Sequence, residues 1–193
     1  MDLRLYEPYP ESVIVDGKEY ALDLDFRNVL RFFDLRDDGW TETEQIELGA
    51  HLLLMDPSEC PADLKDQANV RSAIFELFPN SGEKSTERFL DMKQDAAKIR
   101  SGFYRIGIDL TRDRLHWFRF IELLGDLPSD TALVRTIELR QRPIPKPNKH
   151  NANEIAELQR AKAKVAIKYT DEERRRHFYE SLKNSTLLRG GER

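Results

Sequence analysis

The side chains suited to catalysis are few in this chain, and the most prominent is His116, beside Trp117 in the stretch GIDLTRDRLHWFRF. Acid–base catalysis by a histidine needs a partner group that converges on the ring, and no nearby residue supplies one. Trp117 begins a stripe at helical spacing with Phe120, Ile121 and Leu124. The pattern favours Trp117 as a core anchor and His116 as a capped or half-exposed neighbour of that core.

The remaining reactive residues form no pattern of a known catalytic or metal site. His51, His150 and His177 show no His-x-x-x-His spacing, and the single cysteine, Cys60, rules out both a Cys-x-x-Cys pair and an internal disulfide. Cys60 follows a turn and is interpreted as an incidental thiol. Phosphate-binding loops and Gly-x-Ser-x-Gly elbows are also missing. We therefore expect no catalytic residue, no metal, no cofactor and no enzymatic activity.

Charge divides the chain into an acidic body and a basic tail. Residues 140–193 hold 14 Lys or Arg against 7 Asp or Glu, whereas residues 1–139 hold 17 against 28. An acidic body repels nucleic-acid phosphates, so binding of nucleic acid is disfavoured there. The tail is able to engage an acidic protein or nucleic acid, and body and tail are also suited to docking on one another in a homo-oligomer.

The tail contains a cluster of cationic and aromatic side chains in RRRHFYESLK. Three glutamates interleave with them, and intrahelical pairs would satisfy part of the charge. This interleaving favours a solvated or protein-docking helix over a nucleic-acid site. The candidate partner-binding residues are Arg174, Arg175, Arg176, Phe178 and Tyr179.

Periodicity predicts a mainly α fold with a small N-terminal β-hairpin at about residues 12–22, because alternating apolar residues flank Asp16-Gly17. A helical stripe begins at Phe26 and is expected to end at Gly39. Thr41 or Thr43 is expected to cap the next helix, and Thr41 has the capping-box spacing to Glu44. A further helix follows Pro61, with an apolar side expected to comprise Leu64, Ala68, Ile74, Phe75 and Phe78.

Later helices are predicted from the same spacing. Met92, Ala96, Ile99, Phe103 and Ile106 would line one face of a long helix that ends at Gly107. The next helix is expected to start near Thr111 or Asp113, and the one after it to be capped by Ser129 or Asp130.

The predicted domain organisation is a helical core domain over residues 1–142, a Pro-rich hinge over 143–150 and a basic helical arm over 151–193 with a frayed end. Pro143, Pro145 and Pro147 favour an extended, semi-stiff hinge. The N-terminus lacks the pattern of a signal peptide, and no apolar run approaches the length of a membrane span.

Three stretches together resemble the bacteriophage gene-product-fifteen family: DMKQDAAKIRSGF, FYRIGIDL and LHWFRFIELLGDLPSDTALVRTIELR. In the family pattern an aspartate-containing helix ends in a GIDL turn, a helix beginning with LHW follows, and a later segment ends in an arginine, here Arg140. Phe118 stands where the family has a second tryptophan, a mild exchange. The motif's structural core is expected to comprise Phe103, Gly107, Trp117, Phe120, Ile121 and Leu124.

The resemblance implies a protein of long-tailed phages and prophages that acts as a tail assembly chaperone in the host bacterial cytoplasm. Such a chaperone holds the tape-measure protein soluble while tail-tube subunits gather, so the implied partners are these two proteins. The family carries no agreed catalytic residues. Two alternatives stay open: a structural virion component of the tail or connector, and a nucleic-acid-binding accessory protein acting through the basic arm.

Overall fold

The structure, a computed structural model, describes residues 7–35, 39–78 and 88–169. The chain divides into unit 1, Met1–Ser85 with Ile99–Pro128, and unit 2, Thr86–Lys98 with Ser129–Arg193. The described elements are β1 (Ser12–Val15), β2 (Lys18–Ala21), α1 (Phe26–Asp34), α2 (Glu42–Leu53), α3 (Leu64–Leu77), α4 (Ala96–Arg105), α5 (Trp117–Gly125), α6 (Ala132–Gln141) and α7 (Ala152–Val165). The predicted mainly α class with an N-terminal hairpin is confirmed.

The hairpin forms because its two turn residues accept positive φ angles. Asp16 has φ 50° and Gly17 has φ 79°, the pattern of a type I′ turn between paired strands. Val13 and Tyr20 face each other in the register and are both buried. A two-stranded ribbon is marginal alone, and here β1 packs against α3 within unit 1.

An aromatic stack forms the centre of unit 1. Phe120 on α5 lies between Phe26 on α1 and Phe103 on α4, with ring centroids 4.8 Å and 5.1 Å away. Trp117 packs on the same ring at 5.7 Å. All four side chains are buried, so the predictions that Phe103, Trp117 and Phe120 belong to the core are confirmed.

Two predicted helix ends are confirmed by their hydrogen bonds. Thr41 and Glu44 form a reciprocal capping box at the start of α2. Gly107, with φ 86°, follows the end of α4, and its N–H donates to the Tyr104 carbonyl while the Ile108 N–H donates to that of Phe103. These two bonds make a Schellman motif, so Gly107 has a turn role and is itself exposed.

Three predicted helix starts are wrong. α5 begins at Trp117 with His116 as its N-cap, because the Asp109 carboxylate closes a turn by accepting from the Thr111 N–H and hydroxyl. α6 is capped by Thr131, whose hydroxyl accepts from the Val134 N–H. α4 begins only at Ala96, since the preceding residues form turns.

Several residues predicted as buried are exposed. Ile121 lies on the apolar side of α5 but is 38% exposed, because aromatic packing on this helix is concentrated at Trp117, Phe118 and Phe120. Leu124 on the following turn is half-buried. Three further residues were predicted to lie on buried helix faces and are exposed: Leu64, Phe75 and Ile106.

Unit 2 contains α6, which packs against α7, and an extended segment between these helices. This segment includes Pro143, Pro145 and Pro147 of the predicted hinge. Leu133 and Leu158 are its buried apolar anchors. The predicted domain boundary at 143–150 stays a prediction, and the extended segment lies inside unit 2. Among the described residues, no helix is both long and apolar enough to cross a membrane.

Candidate functional site

His116 is a structural residue, as its ring hydrogen bonds show. Its Nδ1 accepts from the Phe118 N–H at 3.3 Å, which caps the first turn of α5. Its Nε2 lies 3.2 Å from the Pro10 carbonyl oxygen. Because Nδ1 accepts, the proton of a neutral ring belongs on Nε2, where it donates to Pro10. His116 is thus the N-cap of α5 and is half-buried beside Trp117, in the position predicted for a capped neighbour of the core.

Tyr9 completes the surroundings of His116. The two rings are stacked, with centroids 4.9 Å apart. The Tyr9 hydroxyl donates to the Glu122 carboxylate on α5. That hydrogen bond is the main reason that the pKa of the Tyr9 phenol is raised above its ordinary value. The arrangement fastens the N-terminal segment to α5 and keeps the phenol protonated.

A buried ion pair joins two residues of the family motif that are 45 positions apart. The Arg140 guanidinium grips the Asp95 carboxylate with two hydrogen bonds of 2.5 and 3.0 Å. Arg140 also donates to the carbonyls of Phe89 and Val165. One side chain thus ties together the segment before α4, the end of α6 and the end of α7, all within unit 2.

The Asp95 carboxylate has no free acceptor site for chemistry. Besides Arg140, it accepts from the Lys98 ammonium at 2.8 Å and from the Asp91 N–H at 3.2 Å. Burial by itself would raise the pKa of Asp95, but the hydrogen bonds from Arg140, Lys98 and the backbone outweigh it and lower that pKa to about 2. Asp95 is therefore ionised at neutral pH and acts as a structural lock.

A second charged cluster lies at a cavity of about 280 Å³ in unit 1. Arg27 grips Asp25 at 2.7 and 2.8 Å, and Arg114 donates to Asp23 at 2.7 Å. Burial raises the pKa of Asp25, but the hydrogen bonds from Arg27 more than offset this and the pKa is lowered. The cavity lining holds three arginines, Arg27, Arg31 and Arg114, against these two aspartates, and the ion pairs involve Arg27 and Arg114.

In the described part of the chain, the other reactive side chains do not come together in one site. Burial raises the pKa of the Cys60 thiol, which reduces the thiolate needed for nucleophilic chemistry. Within residues 7–35, 39–78 and 88–169, no three His, Cys, Asp or Glu side chains converge to hold a metal ion.

The acidic segment, residues 39–78, is the most distinctive surface of unit 1. It carries eight acidic residues against two basic ones. All eight carboxylates are exposed, and none is ion-paired with another residue in the described part of the chain. The segment also contains five exposed large apolar side chains: Trp40, Leu48, Met55, Leu64 and Phe75. Exposed large apolar side chains are candidate contacts for a protein partner where they lie together in a patch.

The basic segment, residues 140–169, is its counterpart in unit 2. It carries eight basic residues against two acidic ones. Arg140 is neutralised by Asp95, but six other cations are exposed and make no ion pair with a described residue: Arg142, Lys146, Lys149, Arg160, Lys164 and Lys168. A groove of about 550 Å³ opens at the end of α6, lined by Arg135, Glu138, Leu139, Gln141, Arg142 and Pro143.

The candidate residues Arg174, Arg175, Arg176, Phe178 and Tyr179 lie outside the described residues. The sequence prediction did find an excess of cations in the tail. It assigned binding to the arginine run, although residues 170–193 carry six basic residues against five acidic ones. Counting charge in shorter windows would have located the excess at residues 140–169.

A family model described as Bacteriophage Gp15 protein matches residues 5–167. The chain belongs to this family. No curated protein and no solved structure matches it. The Gp15 match includes the acidic segment, the Asp95–Arg140 pair and most of the basic segment, whereas it ends before the arginine run. The predicted family membership is thus confirmed.

Proposed function

We propose that this Gp15-family protein is a tail assembly chaperone that binds the tape-measure protein in the host cytoplasm during phage tail assembly, and that it acts without catalysis. Membership of a phage family supports a role in the phage life cycle. The observation that carries the finer proposal is the acidic segment, with five exposed large apolar side chains among eight exposed carboxylates.

The surface chemistry fits a helical client. A very long helical protein with exposed apolar stripes aggregates unless those stripes are covered. Trp40, Leu48 and Phe75 offer apolar contacts to such a stripe, and helix-in-groove binding uses contacts of this kind. The surrounding carboxylates keep the chaperone itself soluble and favour a client segment with basic flanks.

Co-expression with the tape-measure protein tests the proposal. We expect the tape-measure protein to be soluble with this chain, to elute with it in one complex, and to aggregate when expressed alone. Double replacement Trp40→Ser with Phe75→Ser should reduce the soluble fraction, because both side chains are exposed in the acidic segment. Tyr104→Ser is the matched control, since Tyr104 is a 73% exposed aromatic outside that segment.

Two results would contradict the proposal. One is a tape-measure protein that stays equally soluble without this chain and forms no complex with it. The other is recovery of this chain in many copies from purified virions, which would indicate a structural component of the tail. Mass spectrometry of purified particles measures that copy number directly.

A further inference from the structure

The acidic segment and the basic segment of this chain carry opposite net charges of equal size. The acidic segment has eight acidic and two basic residues, and the basic segment has eight basic and two acidic residues. In both segments, exposed charges lack ion-pair partners among the described residues. Surfaces of opposite charge on one chain attract each other between copies of that chain.

We propose that copies of this protein associate head to tail, with the acidic segment of one copy docked on the basic segment of the next. When no client protein is bound, the occupant of each surface is a second copy of the same chain, and a client would compete with that copy for the acidic segment. This inference does not rest on the proposed function, because it concerns only the chain itself.

Apolar contacts add to the charge complementarity. α2 and α3 pack side by side, with Arg71 of α3 lying against Gly49 of α2. Leu48, Leu64 and Phe75 are exposed on this helix pair, and the lining of the groove at the end of α6 includes the apolar residues Leu139 and Pro143.

The geometry of such a contact is heterologous, since two different surfaces meet. A docked pair keeps one free acidic segment and one free basic segment, so a contact that does not close into a ring continues into an open chain of copies. Association should therefore depend on protein concentration and on salt. Exposed charges interact over ~10 Å at about 0.1 M salt but only over ~3 Å at about 1 M.

Sedimentation velocity of the purified full-length chain at low and high salt is the first measurement. We expect species larger than one chain at low salt and a single species near 22.6 kDa at high salt. A chain that remains at 22.6 kDa across concentration at low salt would overturn the proposal.

Two variants with reversed charges distinguish head-to-tail docking from other association. Glu47→Lys with Glu76→Lys weakens the acidic segment, and Lys149→Glu with Arg160→Glu weakens the basic segment; all four side chains are exposed. Each variant alone should sediment as one chain. Their equimolar mixture should form a species of two chains, because one intact acidic segment still meets one intact basic segment.

The control is Glu11→Lys with Asp126→Lys, which makes the same charge change at exposed positions outside α2 and α3. This variant should associate as the wild-type chain does. The proposal is overturned if the control loses association equally, or if the mixture of the two variants stays at one chain. Circular dichroism of each variant verifies that its helices are intact.

Discussion

At the scale of single residues, the Asp95–Arg140 pair links stability to pH. The Asp95 pKa of about 2 lies below its ordinary value of 3.8. A carboxylate with a lowered folded-state pKa contributes stability above its unfolded-state pKa, and this contribution is lost as pH falls through the folded-state value. For Asp95 the loss should occur between about pH 4 and pH 2 and amount to roughly 2 kcal/mol.

Arg140→Met tests this linkage. Removing one partner of a buried ion pair typically costs about 3–5 kcal/mol at neutral pH, because the other charge is left without its counter-ion. The difference in free energy of unfolding between Arg140→Met and wild type should shrink as pH falls from about 5 to about 2, since protonated Asp95 carries no charge for the guanidinium to neutralise. Urea unfolding of both proteins across that range measures the difference. A deficit that stays constant with pH would show that Arg140 acts through packing alone.

At the scale of secondary-structure elements, the Schellman motif at the end of α4 depends on the backbone freedom of glycine. Gly107 has φ 86°, a conformation that costs other L-residues roughly 1–2 kcal/mol. An added Cβ would meet no atom within 4 Å, so strain of the backbone is the only expected effect of Gly107→Ala.

Gly125→Ala is the matched control for this element. Gly125 is the last residue of α5, lacks a positive φ and also has no atom within 4 Å of an added Cβ. Alanine there should be neutral or stabilising by up to ~1 kcal/mol. The midpoint temperatures of thermal unfolding of the two variants should therefore shift from the wild-type value in opposite directions or by clearly unequal amounts. Equal shifts would refute a special role for the turn at Gly107.

These elements also show how far the sequence alone predicts the structure. The hairpin, the capping box and the turn at Gly107 were predictable, because Asp-Gly, Thr-x-x-Glu and a glycine after a periodic stretch each act through local backbone chemistry. The start of α5 was not predictable, since the Asp109 carboxylate accepts a hydrogen bond from the backbone N–H of Thr111 and so favours a turn over a helix there. The Asp95–Arg140 pair was also beyond prediction, because only tertiary folding joins residues 45 apart.

At the scale of the whole molecule, the distribution of charge decides between two candidate binding regions. The basic segment has an excess of six cations, whereas residues 170–193 have an excess of one. Because attraction between surfaces follows their net charge, the basic segment should dominate association between copies.

Neutralising three cations in each region compares them directly. Lys149→Ala, Arg160→Ala and Lys164→Ala together should abolish the salt-dependent association, because they remove half of the six exposed cations of the basic segment. Arg174→Ala, Arg175→Ala and Arg176→Ala together should leave most of it intact, since Glu172, Glu173 and Glu180 already offset that run. Sedimentation velocity at about 0.1 M salt, where charges interact over ~10 Å, provides the measurement. Loss of association only in the second variant would move the binding region to the arginine run and restore the interpretation that the sequence first suggested.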